Sequence, residues 1–202
     1  MAQIECFFDC SSPWTYLCMH NLPPIAEKFN AQMQWRPILV GGVFNAANPS
    51  VYQARETPVP AKQAYSQKVL QDWANLAGLR INFPPSVFPV NSVKAMRACV
   101  WLTDDQNMLP FARAVFDAYF GRDEDISRDD VLSGICEKLN IDTATMFRAI
   151  SEQSIKNELR KNTDELVERG GFGSPTMFVD RTDMYFGNDS LPLVRAALAR
   201  KV

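Results

Sequence analysis

A chain of 202 residues, 47% hydrophobic and 22% charged, is long enough to bury a substantial core and too apolar for a disordered polymer. Its net charge of −2, with lysines and arginines scattered along the chain, excludes the basic footprint that a phosphate backbone demands. No apolar run approaches the roughly 18 residues of a membrane span, and the opening "MAQIECFFDC" has neither a basic nor a long apolar leader region, so the reading is a cytoplasmic protein that partners neither membrane nor nucleic acid.

The five cysteines, Cys6, Cys10, Cys18, Cys99 and Cys136, are odd in number and form no C-x-x-C pair, which reads as free thiols in a reducing compartment. One histidine, His20, leaves little for a Ser-His-Asp or Cys-His triad, and no His/Cys cluster points to a metal.

In chain order, Ile4 to Phe8 is an apolar run ending in turn signals, the pattern of a central strand. A helix starts at Ser12, with Pro13 where the first turn tolerates it and Cys18, Leu22, Ile25 and Phe29 at helical spacing. Pro23 and Pro24 predict a kink or break near Leu22, because each lacks a donor and crowds the turn before it. A second strand is expected over about Gln32 to Leu39, then a Gly-, Asn- and Pro-rich loop from Gly41 to Pro60.

The periodicity then becomes helical. Tyr65, Val69, Trp73 and Leu76 read as one stripe closed by Gly78, and "INFPPSVFPVNS" as a loop. Further helices are expected over about Ser92–Thr103, Leu109–Phe120, Ser127–Leu139 (with an S-x-x-D capping box), Asp142–Ser151 and Ile155–Arg169. Phe111, Phe116, Tyr119 and Phe120 sit at helical spacing and read as core. After Gly170 and Gly171 come a strand in "PTMFV", a turn, a partner strand in "MYF", a cap at Asn188-Asp189-Ser190 and a last helix with Leu191, Val194 and Leu198 inward.

The order βαβ, helical block, ββα, with "FFDCSSPWTYL" at the front and "GFGSPTMFV…YFGNDS" at the back, resembles a DsbA-like thioredoxin fold carrying a large all-helical insertion. More narrowly it resembles the kappa-class glutathione transferases and the 2-hydroxychromene-2-carboxylate isomerases. That resemblance implies a thioredoxin-like part at residues 1–40 and 170–202, a helical insertion at 41–169, and a homodimer. Where the redox relatives carry C-P-x-C, this chain has Ser12-Pro13-Trp14-Thr15, so the site has no sulfur for disulfide exchange.

Taken alone, a Ser-Pro pair at a helix start is a cap. A helix N-terminus also stabilises negative charge and lowers a thiol's pKa, so a hydroxyl there can hold an external thiolate. The resemblance implies that the thiol is glutathione and that Ser12 hydrogen-bonds its sulfur. It further implies a cis Pro175, with the Ser174 backbone facing the ligand, and Asn188 and Asp189 beside the glutamyl moiety. Asn48 and Lys62 are implied as further glutathione contacts, and Asn91 and Ser92 as a border of the second substrate's pocket. The same residues have plainer readings: Asn48 a turn, Lys62 a solvated lysine, Asn188 and Asp189 helix caps. The activity implied is a glutathione-dependent cis/trans isomerisation in aromatic-compound degradation, in which the thiolate adds to a conjugated system and later leaves unchanged. Two alternatives stand beside it: a kappa-like transferase that releases the adduct, and a redox-inactive binding module on a thioredoxin scaffold.

Overall fold

In the computed structural model, which describes residues 1–200, the strand β1 (Gln3–Phe8) lies inside a four-stranded sheet. Its neighbours are β2 (Gln32–Pro37), parallel to it, and β3 (Thr176–Val179), antiparallel; β4 (Asp183–Phe186) closes the far edge in the order β2-β1-β3-β4. Alternation along β1 sorts the packing. Ile4, Cys6 and Phe8 join the main core with Leu17 and Leu22 of α1 (Pro13–Lys28), while Phe7 packs with Ile38, Val43, Leu166 and Phe178 in a second cluster.

Helix α1 runs through Pro23 and Pro24 as one helix, so of the expected kink or break the break does not occur. Each interior proline forfeits a backbone bond at a cost of about 3 kcal/mol. The fully buried Leu22 and the nearly buried Ala26 hold the helix on either side, and Pro24 faces solvent.

The second strand ends at Pro37, two residues short of expectation, and the expected loop after it is mostly helical: α2 (Val40–Ala47) and α3 (Ser50–Glu56). The start of α2 is secured from outside, because the Val40 N–H donates to Asp9 Oδ2 at 2.8 Å. Gly42 serves packing rather than a turn; a Cβ there would come within 3.2 Å of Thr163 Cγ2.

The long helix α4 (Pro60–Ala77) ends at Gly78 in the left-handed conformation, as the sequence predicts. Its inward face differs from the predicted stripe. Leu70 and Ala74 are buried, Val69 and Trp73 are partly covered, and Tyr65 and Leu76 are 68% and 78% exposed. Pairing with α1 through the i, i+4 positions 70 and 74 rotates the contact away from the aromatic stripe.

The loop "INFPPSVFPVNS" is a loop, with cis bonds before Pro84 and Pro89. Beyond it come α5 (Val93–Trp101), α6 (Met108–Phe116, continued by a π turn over Asp117–Gly121), α7 (Asp129–Lys138), α8 (Thr143–Ala149) and α9 (Gln153–Glu168). Phe111, Phe116, Tyr119 and Phe120 are buried, as predicted, and Tyr16 of α1 stacks on Phe116 at 5.1 Å between centroids. The predicted capping box is not formed, because the Ser127 hydroxyl donates back to Asp125 at 2.6 Å and α7 begins after Arg128. A 3-10 turn at Asn188–Ser190 leads directly into α10 (Leu191–Ala199), whose Leu191, Val194 and Leu198 are buried. No helix among the described residues is long and apolar enough to cross a membrane.

One buried ion network ties α9 to the sheet. Glu5, 4% exposed, accepts from Arg36 at 3.2 Å and from Arg169 at 2.7 Å, and Glu165 accepts from the same two arginines at 2.6 and 2.9 Å. Arg169 also lies 3.9 Å over the Phe178 ring. Two acids matched by two arginines leave no unpaired charge on this face, the condition for tolerating a buried ion pair.

Candidate functional site

The loop after β1 delivers Ser12 to the first position before α1, where its hydroxyl oxygen accepts from the Thr15 N–H at 3.3 Å. The helix-cap reading is therefore correct as far as it goes. The same hydroxyl donates to the Ser174 carbonyl at 3.0 Å, and Ser174-Pro175 is a cis peptide bond, as the family resemblance implies. Ser174 is held on two further sides: its Oγ accepts from the Asp9 N–H at 3.0 Å and shares a 2.8 Å bond with the Thr15 hydroxyl.

Asp9 lies beneath this arrangement. It is 1% exposed, and its carboxylate accepts from the Ser11 N–H at 2.9 Å and the Val40 N–H at 2.8 Å. Burial raises its pKa, against the lowering effect of the bonds from Val40, Ser11 and the Ser92 hydroxyl. One carboxylate thus fixes the Ser11-Ser12 turn and the start of α2 together.

The remaining sequence-predicted residues fall into four groups. Asn48 ends α2 and reaches the cis-proline loop, its Nδ2 donating to the Phe172 carbonyl at 3.3 Å. Lys62, in the first turn of α4, and Asp189, in the 3-10 turn, are both exposed. Asn188 is fully buried, and its side-chain oxygen accepts from Asn21 of α1 at 3.0 Å, so the side chain braces the 3-10 turn against that helix. Asn91 is exposed and caps the Val93 N–H, whereas Ser92 is buried with its hydroxyl on Asp9.

Aromatic rings surround the loop. A Cβ on Gly173 would meet the Phe186 ring at 2.7 Å and the Phe44 ring at 3.8 Å, and Phe172 lies 4.5 Å from Phe186 between centroids. Glycine at 173 lets the Phe186 ring pack directly on the backbone of the cis-proline loop.

The sequence matches the model of the DSBA-like thioredoxin domain over residues 3–199. This chain belongs to the DsbA-like thioredoxin family. Among relatives, it is 25% identical to a 2-hydroxychromene-2-carboxylate isomerase of Pseudomonas putida over 98% of this chain and 94% of that one. It is 27% identical to glutathione S-transferase kappa 1 of Rattus norvegicus, over 98% and 91% respectively. A solved structure of a 2-hydroxychromene-2-carboxylate isomerase superposes with a TM-score of 0.82 at 24% identity, covering 98% of this chain and 95% of that one, and shares the fold.

Within this DsbA-like domain no thiol stands in the Ser12–Thr15 turn. Its cysteines are all free and all buried. Burial pushes the Cys6 and Cys10 thiols well above their ordinary range, reinforced by their neighbours Cys18 and Cys99, and raises Cys136 to about 11. The position that redox DsbA-like proteins give to sulfur holds alcohols here. Sequence reasoning missed the part of Asp9, which it used only as the end of a strand, and the bond from Thr15 to Ser174. An acid two residues before a Ser-x-Pro turn is a local signal; its bond to Val40 is not.

Proposed function

We propose that this protein is a glutathione-dependent cis/trans isomerase of the 2-hydroxychromene-2-carboxylate type, acting on a conjugated aromatic carboxylate. The observation that carries the reading is the Ser12 hydroxyl, at the positive end of α1 and bonded to the carbonyl of the cis Ser174-Pro175 peptide. A protein alcohol beside a helix N-terminus is suited to hold a thiolate it does not itself possess.

The residues present fit glutathione. Ser174 offers peptide groups to a peptide-like ligand, exposed Asp189 offers a carboxylate for an ammonium group, and exposed Lys62 offers a cation for a carboxylate. Asn48 supports the cis-proline loop from behind. When bound, glutathione supplies a nucleophilic thiol that adds reversibly and is not consumed. The chain's own work is electrostatic and positional. Ser12 turns its hydroxyl hydrogen from the Ser174 carbonyl toward sulfur, and the α1 N-terminus favours the anion. Asp9 and Thr15 keep Ser174 in place.

The 27% identity to a kappa-class transferase favours a second reading with the same site, in which the adduct leaves as product. Purified protein, glutathione and 2-hydroxychromene-2-carboxylate separate the two when free thiol and isomer are followed together. The proposal expects isomer with thiol conserved; stoichiometric thiol loss without isomer overturns it in favour of the transferase. Absence of glutathione binding by calorimetry overturns both and leaves a redox-inactive binding module.

A further inference from the structure

Outside the Ser12 site, a cleft of about 330 Å³ opens between α2, α5 and α9, and its polar lining is mostly cationic: Arg97, Lys156 and Arg160 against a single carboxylate, Asp164. Arg160 and Asp164 sit 3.6 Å apart on the outer turn of α9 and are both largely exposed, so they offset each other at the rim. That leaves Arg97 and Lys156 uncompensated. Neither side chain makes a hydrogen bond or ion pair with any described residue, and the Arg97 Nε is sealed from solvent with no acceptor.

A guanidinium nitrogen without a partner and without water is an expensive arrangement, because desolvation removes hydration that nothing replaces. Thr163, also in the lining, does not bond to that nitrogen. Its hydroxyl already donates to the Leu159 carbonyl at 2.8 Å and accepts from the Leu39 N–H at 3.0 Å. Leu39 and Leu159 make the remaining walls apolar, and Gly42 leaves the α2 side without a side chain. Two cationic side chains without protein partners and apolar flanks in one cleft match a small organic molecule bearing a carboxylate or phosphate group. The volume lies at the lower end of the range for small-molecule sites.

We propose that the cleft between α2, α5 and α9 is a second ligand site that takes a small organic anion, with Arg97 as its anchor and Lys156 as its second cation. The site is independent of the catalytic reading, since none of its lining residues belongs to the Ser12 arrangement. It does share α2, whose first N–H is held by Asp9.

Titration calorimetry and thermal melts at constant ionic strength test the proposal with three probes: inorganic phosphate, succinate and, as a charge control, chloride. Wild-type protein is expected to bind phosphate or succinate and to melt at higher temperature with it, while chloride leaves the melt unchanged. Comparing phosphate with succinate tells which anion chemistry the cleft prefers. Arg97→Gln and Lys156→Gln are each expected to weaken binding by about tenfold or more, the effect of removing one charge-assisted bond. Lys156 is only half-buried, near the start of α9, which keeps one variant folded whatever Arg97 tolerates. No binding of either anion by the wild type, or binding unchanged in Lys156→Gln, overturns the proposal.

Discussion

The hydroxyl of Ser12 and the carbonyl of Ser174 are joined by a 3.0 Å hydrogen bond across 162 residues of sequence. The bond links the first helix to the cis-proline loop, and it occupies the two groups that the proposed chemistry needs. Ligand entry must therefore exchange it, so replacing Ser12 separates binding from activation.

In Ser12→Ala, glutathione is expected to bind with its thiol pKa about 1–2 units higher than in the wild type. This is the consequence of losing one hydrogen bond to a charged sulfur, about 1.5–3 kcal/mol. A pH titration of thiolate absorbance on the bound complex reads it directly. An unshifted thiol in the variant would remove Ser12 from the mechanism.

The five cysteines are buried, and burial holds the Cys6, Cys10 and Cys136 thiols above their ordinary range. Native protein at about pH 8 is expected to release almost no colour with an aromatic disulfide reagent, and the full complement after unfolding. Ser12→Cys should add one rapidly reacting thiol, because the helix start lowers its pKa. Slow reaction of the introduced thiol would mean that the start of α1 does not favour an anion.

Arg169 reaches Glu5, Glu165 and the Arg181 carbonyl and covers the Phe178 ring. Arg169→Ala leaves Glu5 buried with one partner fewer, and urea unfolding is expected to show a loss of about 3–5 kcal/mol. A loss below about 1 kcal/mol would place the network among surface pairs in its energetics.

Two carboxylates give opposite acid responses. Burial alone would raise Glu165, but Arg36 and Arg169 outweigh it and hold its pKa below 4.5. Its contribution is therefore present above that value and is lost as pH falls through the depressed folded value. Burial raises Asp9 above 3.8, so protonation favours the folded state and stability is lost as pH rises through the raised value. Melting temperatures from about pH 3 to 7 should fall more steeply toward acid in Asp9→Asn than in wild type, because the variant lacks the opposing group. Parallel profiles would contradict the shift at Asp9.

Gly173→Ala drives a Cβ to within 2.7 Å of the Phe186 ring and is expected to cost about 1–3 kcal/mol. Because Phe186 sits at the exposed edge of β4, Phe186→Ala should absorb most of that penalty. A double-mutant cycle reads the coupling, and strictly additive losses would mean that the ring does not press on the loop.

The strands, Gly78 as a helix end, the buried aromatic set of α6 and the cis Pro175 were legible because each leaves a local mark: alternation, a glycine, a helical period, a Ser-Pro in a matching motif. The helices α2 and α3 were not. Val40 is capped by Asp9, 31 residues away, and Gly42 is small because Thr163 lies against it, so neither signal is local. For α4 the sequence was read as one stripe through Tyr65, Val69, Trp73 and Leu76, whereas the helix packs on α1 with Leu70 and Ala74 buried. At the site, Ser12 and the cis-proline loop were visible as motifs, while the buried side chain of Asn188 and the bond from Ser92 to Asp9 depended on partners from other elements.

Because β1 lies between β2 and β3, the sheet draws its inner pair from opposite ends of the polypeptide. During synthesis on a ribosome, the N-terminal alcohol emerges early and waits for almost the entire chain before its partner loop exists. On the reading proposed for Ser12, a chain stopped before residue 174 lacks the carbonyl that its hydroxyl meets and is expected to bind no glutathione.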